Sequence, residues 1–241
     1  AFLEDCASEA RVALRAIILG ALHGPKQKTI PGYYSNQSPR TYAPKPDYAV
    51  RFWQARGLRP AQVDVMTVIG RRARRFFEPP APRVSGEVRL ADSRDADSLR
   101  PGGYRIKWVI TSPPYYGMRT YIPDQWLRGW FLGGPDTVDY SARGQIAHDS
   151  PETFAADLRQ VWRNAEEVCA EDAKMVIRFG GIRDRRANPL DLIKSSLSDS
   201  GWRITAIREA GTAAEGKRQA DTFLQKASRP VMEYDVWAML G

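Results

Sequence analysis

Apolar positions recur at three- and four-residue spacing along several stretches of the chain and run together or alternate along others, so helices and strands are both expected. Ala10, Ala13, Leu14, Ile17, Ile18 and Leu22 predict a helix from Leu3 to Leu22, stopped by Gly24-Pro25. Further helices are expected over Asp47 to Arg56 and Pro60 to Phe77. A short one runs through Asp124, Trp126, Leu127, Trp130 and Phe131 to the stop at Gly133-Gly134-Pro135. Ser150-Pro151 has the form of an N-cap followed by proline in the first turn, and Phe154, Leu158, Val161, Trp162, Ala165 and Val168 supply the buried stripe behind it. Asn188-Pro189 opens a last helix to Leu197. Strands are predicted at Val88–Ala91, Ile106–Ile110, Met175–Phe179, Arg203–Arg208 and Met232–Leu240. Residues 33–46 mix aromatics, amides, prolines and bases without a period, and predict an extended ordered loop.

These elements divide the chain at the linker Pro79-Pro80-Ala81-Pro82. Residues 1–78 form an N-terminal helical region with an extended loop, and residues 79–241 an α/β region. The 241 residues suffice for one α/β domain with a sizeable core. Hydrophobic content of 43% with no long apolar run argues against a membrane span, and the first residues lack a basic-then-apolar leader, so a cytoplasmic protein is expected. Cys6 and Cys169 have no motif spacing, which fits a reducing compartment, and nothing calls for a metal. A net charge of +8 favours a polyanionic partner. The arginines Arg71, Arg72, Arg74 and Arg75 near a helix C-terminus suit the helix dipole or a phosphate contact.

The stretch with chemistry in it is Thr111-Ser112-Pro113-Pro114-Tyr115-Tyr116, directly after the predicted strand at Ile106. Two successive prolines fix φ and remove two N–H donors, so the backbone is stiff and its carbonyls remain free to accept hydrogen bonds. The aromatic ring that follows offers a face for a planar base.

Ser112-Pro113-Pro114-Tyr115 resembles the catalytic tetrapeptide of S-adenosylmethionine-dependent DNA amino-methyltransferases. The resemblance implies that the Ser112 hydroxyl and Pro113 carbonyl accept the N–H bonds of an exocyclic amino group and free its lone pair. Pro114 stiffens the turn, and Tyr115 stacks on the flipped base. Serine in the first position points to N4 of cytosine, with N6 of adenine as the alternative. Asp92 resembles the acidic residue that contacts the donor's adenine region, with Ala91 where glycine is usual; Ser93 beside it and Thr111 complete the implied cofactor contacts. Tyr116, Arg119 and Tyr121 are the implied contacts to double-stranded DNA, and the basic excursion between the last two strands, with Lys217 and Arg218, reads as a further DNA contact or a mobile loop.

The implied fold is a Rossmann-like methyltransferase sheet, its catalytic half covering Val88 to the C-terminus. The family's glycine-rich cofactor turn has no counterpart, and Phe179-Gly180-Gly181 reads as an ordinary strand-to-helix turn. The family's sheet order is 3-2-1-4-5-7-6. With Val88–Ala91 as its third strand and Ile106–Ile110 as its fourth, two strands between them are lacking. A second polypeptide, or a segment absent from this chain, is therefore expected to supply them with the cofactor turn. Two other readings remain open: an RNA or protein methyltransferase, and a DNA-binding subunit with a decayed site. Methylation at cytosine C5 is disfavoured, because that chemistry needs a nucleophilic cysteine, typically after proline, and Cys6 and Cys169 follow Asp5 and Val168.

Overall fold

The computed structural model describes residues 6–24, 32–36, 46–59, 62–80, 84–100, 102–118, 121–141, 144–181, 187–212 and 232–241. They fall into two compact units. One comprises Ala1–Gly86 and Thr120–Tyr140, the other Glu87–Arg119 and Ser141–Gly241.

The first unit is helical: α1 (Glu9–Ala21), α2 (Pro46–Gln54), α3 (Val65–Phe77) and α4 (Tyr121–Phe131). Ser8 caps α1 by accepting the Arg11 N–H, and Ile17, Ile18 and Ala21 form its buried face. Asp64 caps α3 through the Thr67 N–H at 2.6 Å, so this helix begins at Val65 rather than near Pro60. A two-residue parallel bridge, β1 (His23–Gly24) with β2 (Ser35–Asn36), falls partly in the stretch expected to be pure loop. Gly24 is required there, because the Tyr33 ring occupies the place of a Cβ. Arg72 donates to the Gly32 carbonyl and lies 4.4 Å from the centre of the Tyr33 ring, which ties α3 to this bridge. The side chain of Tyr121, which opens α4, lies outside the described residues.

The second unit is a mixed α/β layer. Its strands are β3 (Ile106–Thr111), β4 (Cys169–Gly180), β5 (Trp202–Thr212) and β6 (Met232–Leu240), in the order β3-β4-β6-β5. β3 and β4 run parallel; β6 is antiparallel to both β4 and β5. Two helices, α5 (Pro151–Val168) and α6 (Pro189–Leu197), contribute to the core with the sheet. In β4 the side chains of Ala173, Met175, Ile177 and Phe179 are buried while Lys174 and Arg178 face outward, the period-2 pattern of a strand with one covered face. Val236 and Ala238 of β6 stand opposite Ile177 and Met175 and extend that core. Phe154, Leu158 and Trp162 of α5 and Ile193 and Leu197 of α6 close over it. The indole N–H of Trp162 donates to Ser196 Oγ at 2.9 Å, and that of Trp202 to the Trp162 carbonyl at 3.1 Å, so these buried donors are satisfied and α5, α6 and β5 are pinned together.

Helix α5 starts as its sequence predicts, with a complete capping box between Ser150 and Thr153 and Pro151 in the first turn. The predicted strand at Val88–Ala91 does not form. Residues 84–92 are without regular structure, and Val88 and Leu90 are fully exposed. Alternating apolar residues make a strand only where a neighbour accepts their backbone groups, and among the described residues no strand pairs with this segment. β3 shows the same lack. Its only ladder among the described residues is to β4, and on the face away from α5 Ile110 is 78% exposed. No helix among the described residues is long and apolar enough to cross a membrane.

Candidate active site

β3 ends at Thr111, in register with Ile177 of β4, and the proline turn leaves the sheet at this carboxyl end. Ser112 is exposed and Pro113 is buried, while Pro114, Tyr115 and Tyr116 are half-buried. The polar head of the turn is thus open and its base is embedded. The Met118 N–H closes the turn onto the Tyr115 carbonyl at 3.0 Å, with Gly117 at φ +85°, a conformation costly for residues with a Cβ.

Two clamps hold the turn. In the first, the Gly117 N–H donates to His148 Nδ1 at 3.0 Å, which requires Nδ1 to be the unprotonated nitrogen of the ring. His148 is buried and stacks on Phe154 with ring centres 5.4 Å apart, and Tyr116 meets the same phenyl ring edge-on. In the second, the Tyr115 ring stands edge-on to Phe179 with centres 5.4 Å apart, and its hydroxyl donates to Glu233 Oε1 at 2.7 Å. Gly180 makes room for it: a Cβ there would lie 3.0 Å from Glu233 Cγ and 3.2 Å from a Tyr115 ring carbon. Next to this cluster, Arg178 and Asp235 form a two-bonded pair at 2.8 Å each, which holds the Asp235 carboxyl below its ordinary range.

The residues expected to meet the methyl donor are not gathered in one place. Asp92 is bound by Arg94, with Arg94 Nη2 2.6 Å from Asp92 Oδ2 and the Arg94 backbone N–H 3.0 Å from Oδ1. These hydrogen bonds, the side-chain ones first, bring the Asp92 carboxyl down to about 2. Arg94 also reaches Asp157 Oδ2 on α5 at 3.1 Å, and that oxygen accepts the Ala147 N–H at 2.8 Å. The Ser93 carbonyl accepts from Asn164 Nδ2, again on α5. Asp92 and the Ser93 backbone therefore tether the segment before β3 to α5. Ser93 lines a cavity of about 380 Å³ with Arg89, Ser98, Arg100, Tyr104 and Ile106. Ile106 begins β3 and Thr111 ends it, so Ser93 and Thr111 flank opposite ends of a strand about 17 Å long.

Of the residues expected to contact DNA, Tyr116 is in the turn but packs inward on Phe154 and His148. Arg119, Lys217, Arg218 and the side chain of Tyr121 lie outside the described residues. His148, Phe179, Gly180 and Glu233, by contrast, are brought to the turn although nothing in the sequence marked them for it. The nearest signal is Phe179-Gly180-Gly181, which in sequence reads as an ordinary strand-to-helix turn.

No family model matches the chain, and no curated protein does. Among solved structures, one from Thermus thermophilus, provisionally named a DNA modification methylase, is similar over 63% of this chain at 15% identity and a TM-score of 0.36. The chain spans 52% of that structure's length. At that distance the similarity bears on neither activity nor substrate.

Proposed function

We propose that this chain is the catalytic half of an S-adenosylmethionine-dependent DNA methyltransferase acting on an exocyclic amino group, N4 of cytosine in the first instance. The observation that carries the reading is the division of labour within the turn. Ser112 is open at the carboxyl end of a parallel strand, while Tyr115 to Gly117 are held by the His148 and Glu233 clamps. Ligands in parallel sheets are received at that end of the strands. The sheet order β3-β4-β6-β5, with one parallel and two antiparallel neighbours, supports it as well. It corresponds to strands 4-5-7-6 of the Rossmann-like methyltransferase sheet that the tetrapeptide implied.

In this reading a base of double-stranded DNA is flipped toward the turn. The Ser112 Oγ and the Pro113 carbonyl accept hydrogen bonds from its two amino N–H groups and draw the nitrogen toward tetrahedral geometry, which frees a lone pair otherwise delocalised in the ring. Tyr115 stacks on the base and offsets part of the unstacking cost. Arg119, Tyr121, Lys217 and Arg218 belong to the DNA contacts of the same proposal. S-adenosylmethionine supplies an already activated methyl group. The described residues do not by themselves build its site. The Asp92 carboxylate is occupied by Arg94, and Ser93 and Thr111 flank opposite ends of β3.

That disagreement, with the edge of β3 left without a ladder among the described residues, is why we assign the glycine-rich donor turn and the neighbouring strands to a second polypeptide or to a segment beyond these residues. Ser112→Ala tests the reading. Single-turnover methyl transfer by the complemented enzyme should fall by at least about tenfold, while duplex affinity stays within about twofold, because the lost hydrogen bond matters chiefly as the amino group reacts. An unchanged rate would remove Ser112 from the chemistry.

A further inference from the structure

We infer that Glu233 is a positioning residue for base capture, acting through the Tyr115 hydroxyl. This rests on the proposed role of the turn and extends it to a residue 118 positions away. A tyrosine that stacks on a flipped base must present a fixed ring face. Its hydroxyl is not needed for stacking itself, so the partner of that hydroxyl shows how the ring is held. The edge-on contact with Phe179 sets where the body of the ring sits. The 2.7 Å bond to Glu233 Oε1 fixes its far end. Glu233 can do this because β6 places it directly opposite Gly180 in the β4–β6 ladder. Gly180, having no side chain, leaves the space that the Tyr115 ring and the Glu233 stem share. Three separate elements thus converge on one aromatic ring: the proline turn, the end of β4 and the start of β6.

The arrangement makes the acceptor oxygen the requirement, not the charge. Glutamine at position 233 keeps an Oε1 acceptor and should preserve the ring's placement, whereas alanine should not.

The probe is a duplex carrying 2-aminopurine in a mismatch, titrated with the full chain and followed by the fluorescence of the probe base. Glu233→Ala and Tyr115→Phe should each weaken capture by about fivefold, the effect of losing one hydrogen bond, and Glu233→Gln should stay within about twofold of the parent. In the Tyr115→Phe background, Glu233→Ala should add nothing, since the two changes remove the same bond. A second readout needs no ligand: 3-fluorotyrosine placed at position 115 should give one narrow ¹⁹F resonance in the parent and in Glu233→Gln. In Glu233→Ala the resonance should shift and broaden.

Additive losses in the double variant, or a ¹⁹F resonance unmoved by Glu233→Ala, would overturn the inference. If the parent and Tyr115→Ala handle the probe base alike, base capture by this turn is wrong. The ¹⁹F comparison then still decides whether Glu233 holds the ring.

Discussion

Among the structural contacts Arg94 is the most open to test, because its contribution has a worked size and a definite pH signature. It bridges Asp92, in the segment before β3, to Asp157 on α5. The Asp92 carboxyl stands at about 2 against an ordinary 3.8, chiefly because of its side-chain and backbone bonds to Arg94. That difference alone would correspond to about 2.5 kcal/mol of folded-state stability. About a third of each side chain is in water, 28% for Arg94 and 34% for Asp92, and solvent screening reduces the expected figure to about 1 kcal/mol.

The sign follows from the depressed folded value. The stabilisation is fully present above the unfolded value of 3.8 and is lost as the pH falls toward 2. Arg94→Gln should therefore lower stability by about 1 kcal/mol at pH 7, measured from urea unfolding followed by tryptophan fluorescence. Below pH 4 the gap between variant and parent should narrow, because the parent's unfolded chain takes up a proton on Asp92 that its folded state, held at about 2, still resists. Equal stability at pH 7, or a gap of constant size down to pH 2, would refute the argument.

Two further perturbations address the clamps on the turn. Gly180→Ala introduces a Cβ 3.2 Å from the Tyr115 ring; it should cost about 1 kcal/mol in urea unfolding and displace the ring, read as a shifted ¹⁹F resonance at position 115. A variant that is more stable and leaves the resonance in place would contradict the packing described. His148→Leu leaves the Gly117 N–H without its acceptor and should destabilise the chain by about 1–3 kcal/mol in the same unfolding assay, with Ser112→Ala, at an exposed position, as the silent control.

Much of this fold is written locally, and the parts that are not share a cause. Ser150-Pro151 and Asn188-Pro189 carry their cap and first-turn proline within a few residues, so α5 and α6 begin where the sequence predicts. β4 declares itself by alternation, and β6 by its apolar run. Val88 and Leu90 alternate with charged residues equally well, yet no ladder forms, because pairing depends on a neighbour that the local pattern cannot supply. The turn at Ser112 was legible since two prolines and a tyrosine are adjacent in sequence. Its supports were not: His148 lies 31 residues from Gly117 and Glu233 lies 118 from Tyr115, brought together only by the sheet. Asp92 resembles, in sequence, the acidic residue that contacts the donor's adenine region. Arg94, two positions on, occupies its carboxylate, and Asp157 across α5 makes that pairing a tether.

If the proposal is right, methyl transfer to an exocyclic amino group of DNA takes place at the Ser112–Tyr115 turn once the proposed donor-binding part is supplied. The most direct measurement uses S-adenosylmethionine with a deuterated methyl group, a mixed-sequence duplex, and the chain together with polypeptides encoded beside its gene. The duplex is then digested to nucleosides for mass spectrometry. Labelled N4-methylcytosine is expected from the complemented chain, much less of it from Ser112→Ala, and none from the complementing polypeptide alone. Label that appears equally with Ser112→Ala, or never appears in DNA while the donor is demonstrably bound, would contradict the account.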